Sequence, residues 1–299
     1  MSKLVVVAGA TGNLGGRITR ELRQRNVTVR AIVRPNRKQE RVNLLKNQQV
    51  EVVPVDFADA GALSKACEGA SCVVSALLGV EKTMIGTQGE LLRAAVQAGV
   101  TRFIPSDYAM DFTKVAPGDN RNFDLHRRFN ESLEDAPIRS TTILNGCFMD
   151  LLTGEAPLIL TKIKRVLYWG EDPDQLIDFT TIDDTAAFTA EAALDSDTPR
   201  FLRIAGEQVS ARGLVETASK VSGQPYRTLR GGSLRRLQTI ISIVRKLSPK
   251  SDAPFPVWQG MQYLYCMFKG SGKLTPLDNE RYSNLKWISL EQVLRKHLT

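Results

Sequence analysis

Apolar residues gather in short blocks through the first half of the chain: Leu4–Ala8, Val27–Val33, Val50–Val55, Cys72–Ala76, Arg102–Pro105 and Thr141–Leu144. Each block is strand-length and nearly free of polar positions, the pattern of strands covered on both faces. Between them, Leu14–Arg25, Ala60–Glu68 and Thr87–Ala98 are amphipathic at helical spacing. The alternation predicts a parallel sheet wrapped by helices.

After about residue 150 the alternation weakens. Thr181-Ile-Asp-Asp184 opens a helix over Asp183–Leu194 with a capping-box pattern, Phe201–Ala205 reads as a strand, and Ser210–Ser222 as a helix. Ser233–Leu247 places Leu234, Leu237, Ile240, Ile241, Val244 and Leu247 on one stripe, flanked by Arg235, Arg236, Arg245 and Lys246. That stripe suits a helix packed over a substrate pocket better than a membrane-surface helix. Ser289-Leu-Glu-Gln292 opens a last helix. The expected organisation is a nucleotide-binding domain over 1–150, with a return segment at about 176–205, and a smaller α+β lobe from 151–175 and 206–299.

The 299 residues are 42% apolar, which supports a sizeable core and excludes wholesale disorder. No stretch is apolar enough to span a membrane, and glycines break the opening apolar run where an export signal would continue. Four cysteines (Cys67, Cys72, Cys147, Cys266) are too few for a disulfide framework and lack zinc-site pairing; they suit the reduced thiols of a cytoplasmic protein. The net charge of +8 is concentrated: residues 1–50 hold 11 Lys/Arg against 2 Asp/Glu, and residues 201–250 hold 10 against 2. Nucleic acid is not the expected partner, because the first basic block has another use.

Gly9-Ala-Thr-Gly12-Asn-Leu-Gly15 follows the first strand and opens the first helix. Gly9 allows a sharp turn, Gly12 lets a pyrophosphate approach the backbone, and Gly15 permits close helix–strand packing. The helix start offers unpaired N–H groups to phosphates. At the end of the second strand an NAD site carries an acid for the ribose hydroxyl. Here the chain reads Val33-Arg34-Pro35-Asn36-Arg37-Lys38. Arg34 can pair with a 2′-phosphate, and Arg37 or Lys38 can add charge, which favours NADP(H). The resulting expectation is an α/β, Rossmann-type doubly wound parallel sheet.

With GATGNLG at Gly9–Gly15, AIVRP at Ala31–Pro35, RFIPSDYAMD at Arg102–Asp111, ILNGCFMDLL at Ile143–Leu152 and DFTTIDDTAAF at Asp178–Phe188, the sequence resembles the NmrA-like branch of the atypical short-chain dehydrogenases. That branch includes the isoflavone, pinoresinol–lariciresinol and phenylcoumaran benzylic ether reductases. The resemblance covers the first two-thirds of the chain well and the rest loosely. It implies an NADP-binding Rossmann domain, a smaller C-terminal lobe and a substrate cleft. It places Thr11, Gly12, Asn13 and Leu14 at the pyrophosphate, Arg34 at the 2′-phosphate, Ala76 and Leu77 beside the cofactor ribose, and Asn145 and Phe148 near the nicotinamide, Phe148 as a substrate contact.

The reductases of this branch use a lysine in a Phe-x-x-Lys pattern after the fifth strand; here Phe123-Asp-Leu-His126 puts a histidine there. His126 is therefore the first catalytic candidate, able to serve as acid near neutral pH. Tyr108 and Lys114 follow as proton donor or substrate contact, Asp107 is expected to cap or brace its loop, and Thr87 and Gln88 to start a packed helix. Tyr265-Cys-Met-Phe-Lys269 repeats the Tyr-x-x-x-Lys spacing of ordinary short-chain dehydrogenases but lies too late in the chain. No Ser/His/Asp, Cys/His or metal constellation stands out.

The leading expectation is an NADPH-dependent reductase of a small aromatic or conjugated substrate, acting as monomer or homodimer. The missing lysine keeps open a non-catalytic NADP(H)-binding redox sensor that docks a regulatory protein. A nucleotide-sugar epimerase fits less well, since that chemistry relies on the absent tyrosine–lysine pair.

Overall fold

The computed structural model describes residues 3–154, 158–248 and 253–298. Contacts divide the chain into two compact units. Unit 1 runs up to Tyr108 and adds Leu125–Ile143 and Thr185–Leu202; unit 2 takes Ala109–Asp124, Leu144–Asp184 and the chain from Arg203 on.

Unit 1 is built on β1 (Leu4–Ala8), β2 (Thr28–Val33), β3 (Glu51–Pro54), β4 (Cys72–Ser75), β5 (Arg102–Ile104) and β6 (Arg139–Ser140). They form one sheet in the order β3-β2-β1-β4-β5-β6, every pairing parallel. Its helices are α1 (Asn13–Gln24), α2 (Gln39–Asn47), α3 (Ala60–Cys67), α4 (Gln88–Gln97), α5 (Arg121–Glu134), whose first turn belongs to unit 2, and most of α6 (Ile182–Leu194). This is the Rossmann-type doubly wound sheet expected from the strand–helix alternation. Strand side chains alternate between faces, so Val6, Ala8 and Val73 enter one apolar cluster with Leu63, Leu91, Ala95, Phe103 and Phe129. Val5 and Val7 point the other way and are equally buried.

The last strand departs from expectation. Thr141–Leu144 was expected to be one strand of the main sheet, but the chain changes partner inside it. The Thr141 amide bonds the Phe103 carbonyl at 3.0 Å, continuing from β6, whereas the Thr142 amide bonds the Arg200 carbonyl at 2.8 Å. Arg139–Ser140 thus closes the main sheet, and β7 (Thr142–Leu144) forms a separate ladder with β12 (Phe201–Arg203). Among the helices, α2 carries no strong apolar stripe, which is why the pattern did not reveal it.

Unit 2 contains β8 (Cys147–Phe148), β9 (Ile159–Leu160), β10 (Arg165–Tyr168), β11 (Ile177–Thr180), β13 (Glu207–Val209) and β14 (Arg227–Arg230), in two three-stranded sheets ordered β14-β10-β9 and β13-β11-β8. With them go α7 (Ala211–Ser222), α8 (Leu234–Leu247), α9 (Val257–Lys269) and α10 (Leu290–Leu298). Side chains start several of these helices, since a helix N-terminus leaves donors unpaired. The Ser210 hydroxyl accepts from the Gly213 amide at 3.2 Å at the start of α7, as Thr181 does from the Asp184 amide at 3.0 Å at the start of α6. Ser289 and Gln292 close a full capping box: the Ser289 amide donates to Gln292 Oε1 at 2.9 Å, and the Gln292 amide to Ser289 Oγ at 3.3 Å. Of the expected α8 stripe only Leu237 and Ile241 are buried, and Leu247 is 79% exposed. Helix α9, which the apolar pattern did not single out, packs on α8. No described helix is long and apolar enough to cross a membrane.

Candidate functional site

Strand order in unit 1 reverses between β1 and β4: β2 and β3 extend to one side, β5 and β6 to the other. Ligands of such sheets bind beyond the carboxyl ends of the strands at this reversal. The glycine loop lies there. Gly9 has φ +90°, and a Cβ on it would sit 2.4 Å from the Ala76 carbonyl oxygen. A Cβ on Gly15 would sit 2.3 Å from the Gly9 carbonyl oxygen. Backbone thus packs directly on backbone, and Gly9, Gly15 and Ala76 are brought together. The Gly12 amide closes the turn onto the Gly9 carbonyl at 2.8 Å. Gly12 caps α1 without a side-chain hydrogen bond, and no acid stands in the helix's first turn. The amides of Asn13 and Leu14 therefore present an uncapped, electropositive helix start.

The basic block of the first fifty residues resolves into two kinds of charge. Arg23 donates to the Val27 and Gln48 carbonyls at 2.7 and 3.0 Å, Arg25 pairs with Glu21 and Glu191, and Arg30 pairs with Glu51 at 2.9 Å. These hold the unit together. Arg34 and Arg37 instead lie exposed past the end of β2. Arg37 Nε donates to Thr11 Oγ1 at 2.9 Å, which ties the basic turn to the glycine loop. Among the described residues no acid pairs with Arg34. An uncapped helix start, glycines with no room for a Cβ, one guanidinium tied to the loop and a second exposed past the end of β2 fit the diphosphate and 2′-phosphate of an NADP-type dinucleotide.

Past β5 the loop carries Ser106, Asp107 and Tyr108. The Ser106 hydroxyl donates to the Leu77 carbonyl at 2.7 Å, and its amide donates to Gln88 Oε1 at 2.9 Å. Gln88, fully buried, returns a bond from Nε2 to the Met84 carbonyl at 3.3 Å, inside a wide π-helical turn over Lys82–Thr87. It is more than a packed helix start: it clamps the loop after β5 to the loop after β4, and so fixes Leu77.

Asp107 is wholly buried, and its Oδ1 lies 2.8 Å from His126 Nδ1. Asp107 Oδ2 accepts from Asn130 Nδ2 at 2.6 Å and from the Thr142 hydroxyl at 3.1 Å. Asn130 Nδ2 also donates to the His126 carbonyl at 2.9 Å. A carboxylate only accepts, so the network assigns the Nδ1 proton to His126. Asp107 was expected to brace its loop. It does so by holding a histidine, a pairing that 19 residues of separation concealed.

The remaining candidates sit differently. The Tyr108 hydroxyl is buried, and desolvation pushes its titration far above the ordinary phenol range, against the opposing influence of Thr189. In unit 2, Lys114 Nζ donates to the Lys273 and Thr275 carbonyls at 2.9 and 3.1 Å and lies 3.4 Å from Asp111. It is a tether. Asp111 also meets Arg203 at 2.7 Å; despite the cost of burial, Thr113, Arg203 and Lys114 hold its carboxyl below the usual range. Lys269 of the late Tyr-x-x-x-Lys pairs with Asp119 at 2.8 Å.

Asn145, also in unit 2, is fully buried with neither side-chain atom hydrogen-bonded. Its backbone is fixed: the amide bonds the Ala109 carbonyl at 2.9 Å, and its carbonyl accepts from Thr180 at 2.7 Å. Gly146, at φ +69°, follows with its Cα against the Asp178 carbonyl, where a Cβ would lie 2.4 Å away. Phe148 is half-buried on β8. The cysteines are free thiols; burial pushes Cys67 and Cys72 up to about 11 and Cys266 up to about 12. Among the described residues no group of His, Cys, Asp and Glu is arranged to hold a metal ion.

The NmrA-like family model matches residues 1–291. The chain is 24% identical to the probable pinoresinol-lariciresinol reductase 3 of Arabidopsis thaliana, covering 97% of this chain and 96% of that protein. It is 26% identical to the oxidoreductase swnN of Arthroderma benhamiae, covering 93% and 80%. The solved structure "AtPrR2 with NADP+ and (+)pinoresinol" shares the fold at a TM-score of 0.84, with 23% identity over 99% of both chains.

Proposed function

We propose that this chain, which belongs to the NmrA-like family, is an NADPH-dependent oxidoreductase that reduces a small aromatic or conjugated substrate. The observation that carries this reading is the acid-free phosphate cradle: an uncapped α1 behind Gly9–Gly15, with Arg37 tied to Thr11 and Arg34 exposed past the end of β2. The relatives named as a pinoresinol-lariciresinol reductase and an oxidoreductase support the same chemistry.

When bound, the reduced nicotinamide would supply a hydride. The chain's own residues bind, orient and protonate. Gly9, Gly12 and Gly15 would shape the loop so that the diphosphate meets the backbone N–H groups of Thr11, Asn13 and Leu14, and Arg34 with Arg37 would take the 2′-phosphate. Ala76 and Leu77 would lie along the ribose, with Leu77 fixed by Ser106 and Gln88. Asn145's buried amide, unpaired within the protein, would bond a ligand group, and Phe148 would contact substrate.

His126, rather than Tyr108 or Lys114, is the proton donor in this reading. Asp107 stabilises the imidazolium through Nδ1 and keeps Nδ1–H in place once Nε2 has given up its proton. A built Asp–His pair favours catalysis over the sensor reading. The same reading extends to a cytoplasmic monomer or homodimer that acts on a small molecule and has no use for nucleic acid.

The test is NADPH oxidation followed spectrophotometrically with quinones, aryl ketones and aryl ethers, beside calorimetry with NADPH and NADH. Turnover with at least one class and a preference for NADPH are expected. Background rates across the panel, with no binding heat from either nucleotide, would overturn the proposal.

A further inference from the structure

Helices α8 and α9 of unit 2 pack on each other, and the Arg245 guanidinium lies 5.0 Å over the Trp258 ring. The end of α8 therefore stands beside the start of α9. Leu237 and Ile241 turn inward from α8, but Ile243 is 52% and Leu247 79% exposed. At the entry to α9, Phe255 is 56% and Val257 70% exposed. Ile243 and Leu247 are four residues apart, so they are neighbours on one side of the helix. Four of the ten large apolar side chains exposed among the described residues thus gather at one place, which makes them a patch and not a scatter.

The charge around this patch has one sign. Residues 227–247 carry six Lys/Arg and no acid. Four of the six, Arg235, Arg236, Arg245 and Lys246, belong to α8. Arg236 falls seven residues before Ile243 and Lys246 three after it, which sets both cations on the side of the exposed leucine and isoleucine. Among the described residues only Arg230 of the six has a carboxylate partner, Glu171.

We propose that the end of α8 and the start of α9 dock this protein on the surface of an anionic phospholipid bilayer. The apolar side chains would enter the boundary between headgroups and acyl chains, and the basic ones would meet the headgroup phosphates. The helix would lie in the interface, since no described helix is long and apolar enough to cross a membrane. Other occupants fit the patch less well. A second copy docking through the same face would set these cations against their like, with no acid on α8 to meet them. A nucleic acid would meet the cations but leave the aliphatic side chains without a partner. Trp258, the nearest stacking surface, is only 8% exposed and has the guanidinium groups of Arg121 and Arg245 over its ring at 4.8 and 5.0 Å. None of the patch residues belongs to the proposed cofactor or proton-donor set, so the inference stands apart from the catalytic reading.

Flotation of the full chain with lipid vesicles tests it. With phosphatidylcholine vesicles containing about 30% phosphatidylserine, the protein is expected to float at low salt and to be released as salt rises. On phosphatidylcholine alone it is expected to stay behind. Replacing the apolar pair together, Ile243→Ser with Leu247→Ser, is expected to lower the partition coefficient by about tenfold or more. Replacing three cations together, Arg235→Gln, Arg236→Gln and Lys246→Gln, is expected to lower it by about tenfold or more. Leu44→Ser removes a leucine that is 50% exposed on α2 of unit 1, and is expected to leave flotation unchanged.

The proposal is overturned by no flotation with phosphatidylserine, by equal flotation on both vesicle types, or by apolar-pair and cation variants that float like the wild type. Two further results would overturn it by assigning the patch elsewhere. A dimer in light scattering that Leu247→Ser dissociates, without flotation, gives the face to a second copy. Retardation of an oligonucleotide, without flotation, gives it to a nucleic acid.

Discussion

The two ends of the candidate site in unit 1 are built from different materials. At the glycine loop the geometry is backbone: Gly9 and Gly15 stand where a Cβ would lie within 2.4 Å of a carbonyl oxygen, and the helix start is left without a side-chain cap. At Asp107 it is side chain on side chain, a run from half-buried Arg200 through Asn130 and Thr142 to Asp107 and His126. The first end tolerates one residue type at each position and is indifferent to what lies far away in sequence. The second requires side-chain partners from four separate segments. A binding surface for a diphosphate needs many equivalent donors, which backbone supplies; moving one proton needs one atom in one protonation state, which a closed network supplies.

This contrast sets the order of the damage that substitutions should do. The largest effect is expected at Gly15, where alanine puts a Cβ 2.3 Å from the Gly9 carbonyl oxygen, with backbone rather than a flexible side chain in the way. Gly15→Ala should cost several kcal/mol of stability, on the order of 3, and abolish measurable NADPH binding. Thermal unfolding and calorimetry check both, and an unchanged melting temperature would refute the packing account.

His126→Gln comes next, on the other end. Losing a positioned general acid should lower kcat by about 10²- to 10⁴-fold. NADPH affinity should stay within about twofold, because the phosphate cradle is untouched. A loss of NADPH affinity matching the loss of kcat would show that the two ends are not separable.

Much of the first end was legible in the sequence and little of the second. The Gly9–Gly15 pattern, the strand before it and the acid-free turn at Arg34 are local, and each constrains backbone or charge without help from elsewhere. The strand runs were legible for the same reason. The break at Thr141 was not, because the change of partner from Phe103 to Arg200 is decided by a segment nearly sixty residues later. Asp107 and Gln88 read as ordinary loop and helix residues until the fold sets them beside His126 and Ser106. Lys114 read as a proton donor or substrate contact because nothing near it in sequence announces the carbonyls of Lys273 and Thr275.

Two smaller effects sharpen the backbone-and-charge end itself. Arg34→Glu should weaken NADPH binding by about tenfold to a hundredfold, since a charge-assisted pair worth about 1.5–3 kcal/mol becomes a repulsion. NADH binding should change far less in the same variant. The loss should also shrink as salt rises, because Arg34 is exposed and its field is screened. Equal losses for both nucleotides would mean that Arg34 supports the loop and does not read the 2′-phosphate.

Arg37→Gln is the mildest. Glutamine removes the charge but can still donate toward Thr11, so the turn should keep its place and NADPH affinity should fall by less than about tenfold. Combined with Arg34→Glu, the two losses should multiply if each guanidinium meets the phosphate on its own. A double variant no worse than Arg34→Glu alone would show that Arg37 acts only by holding Thr11, and that a single guanidinium makes the discrimination.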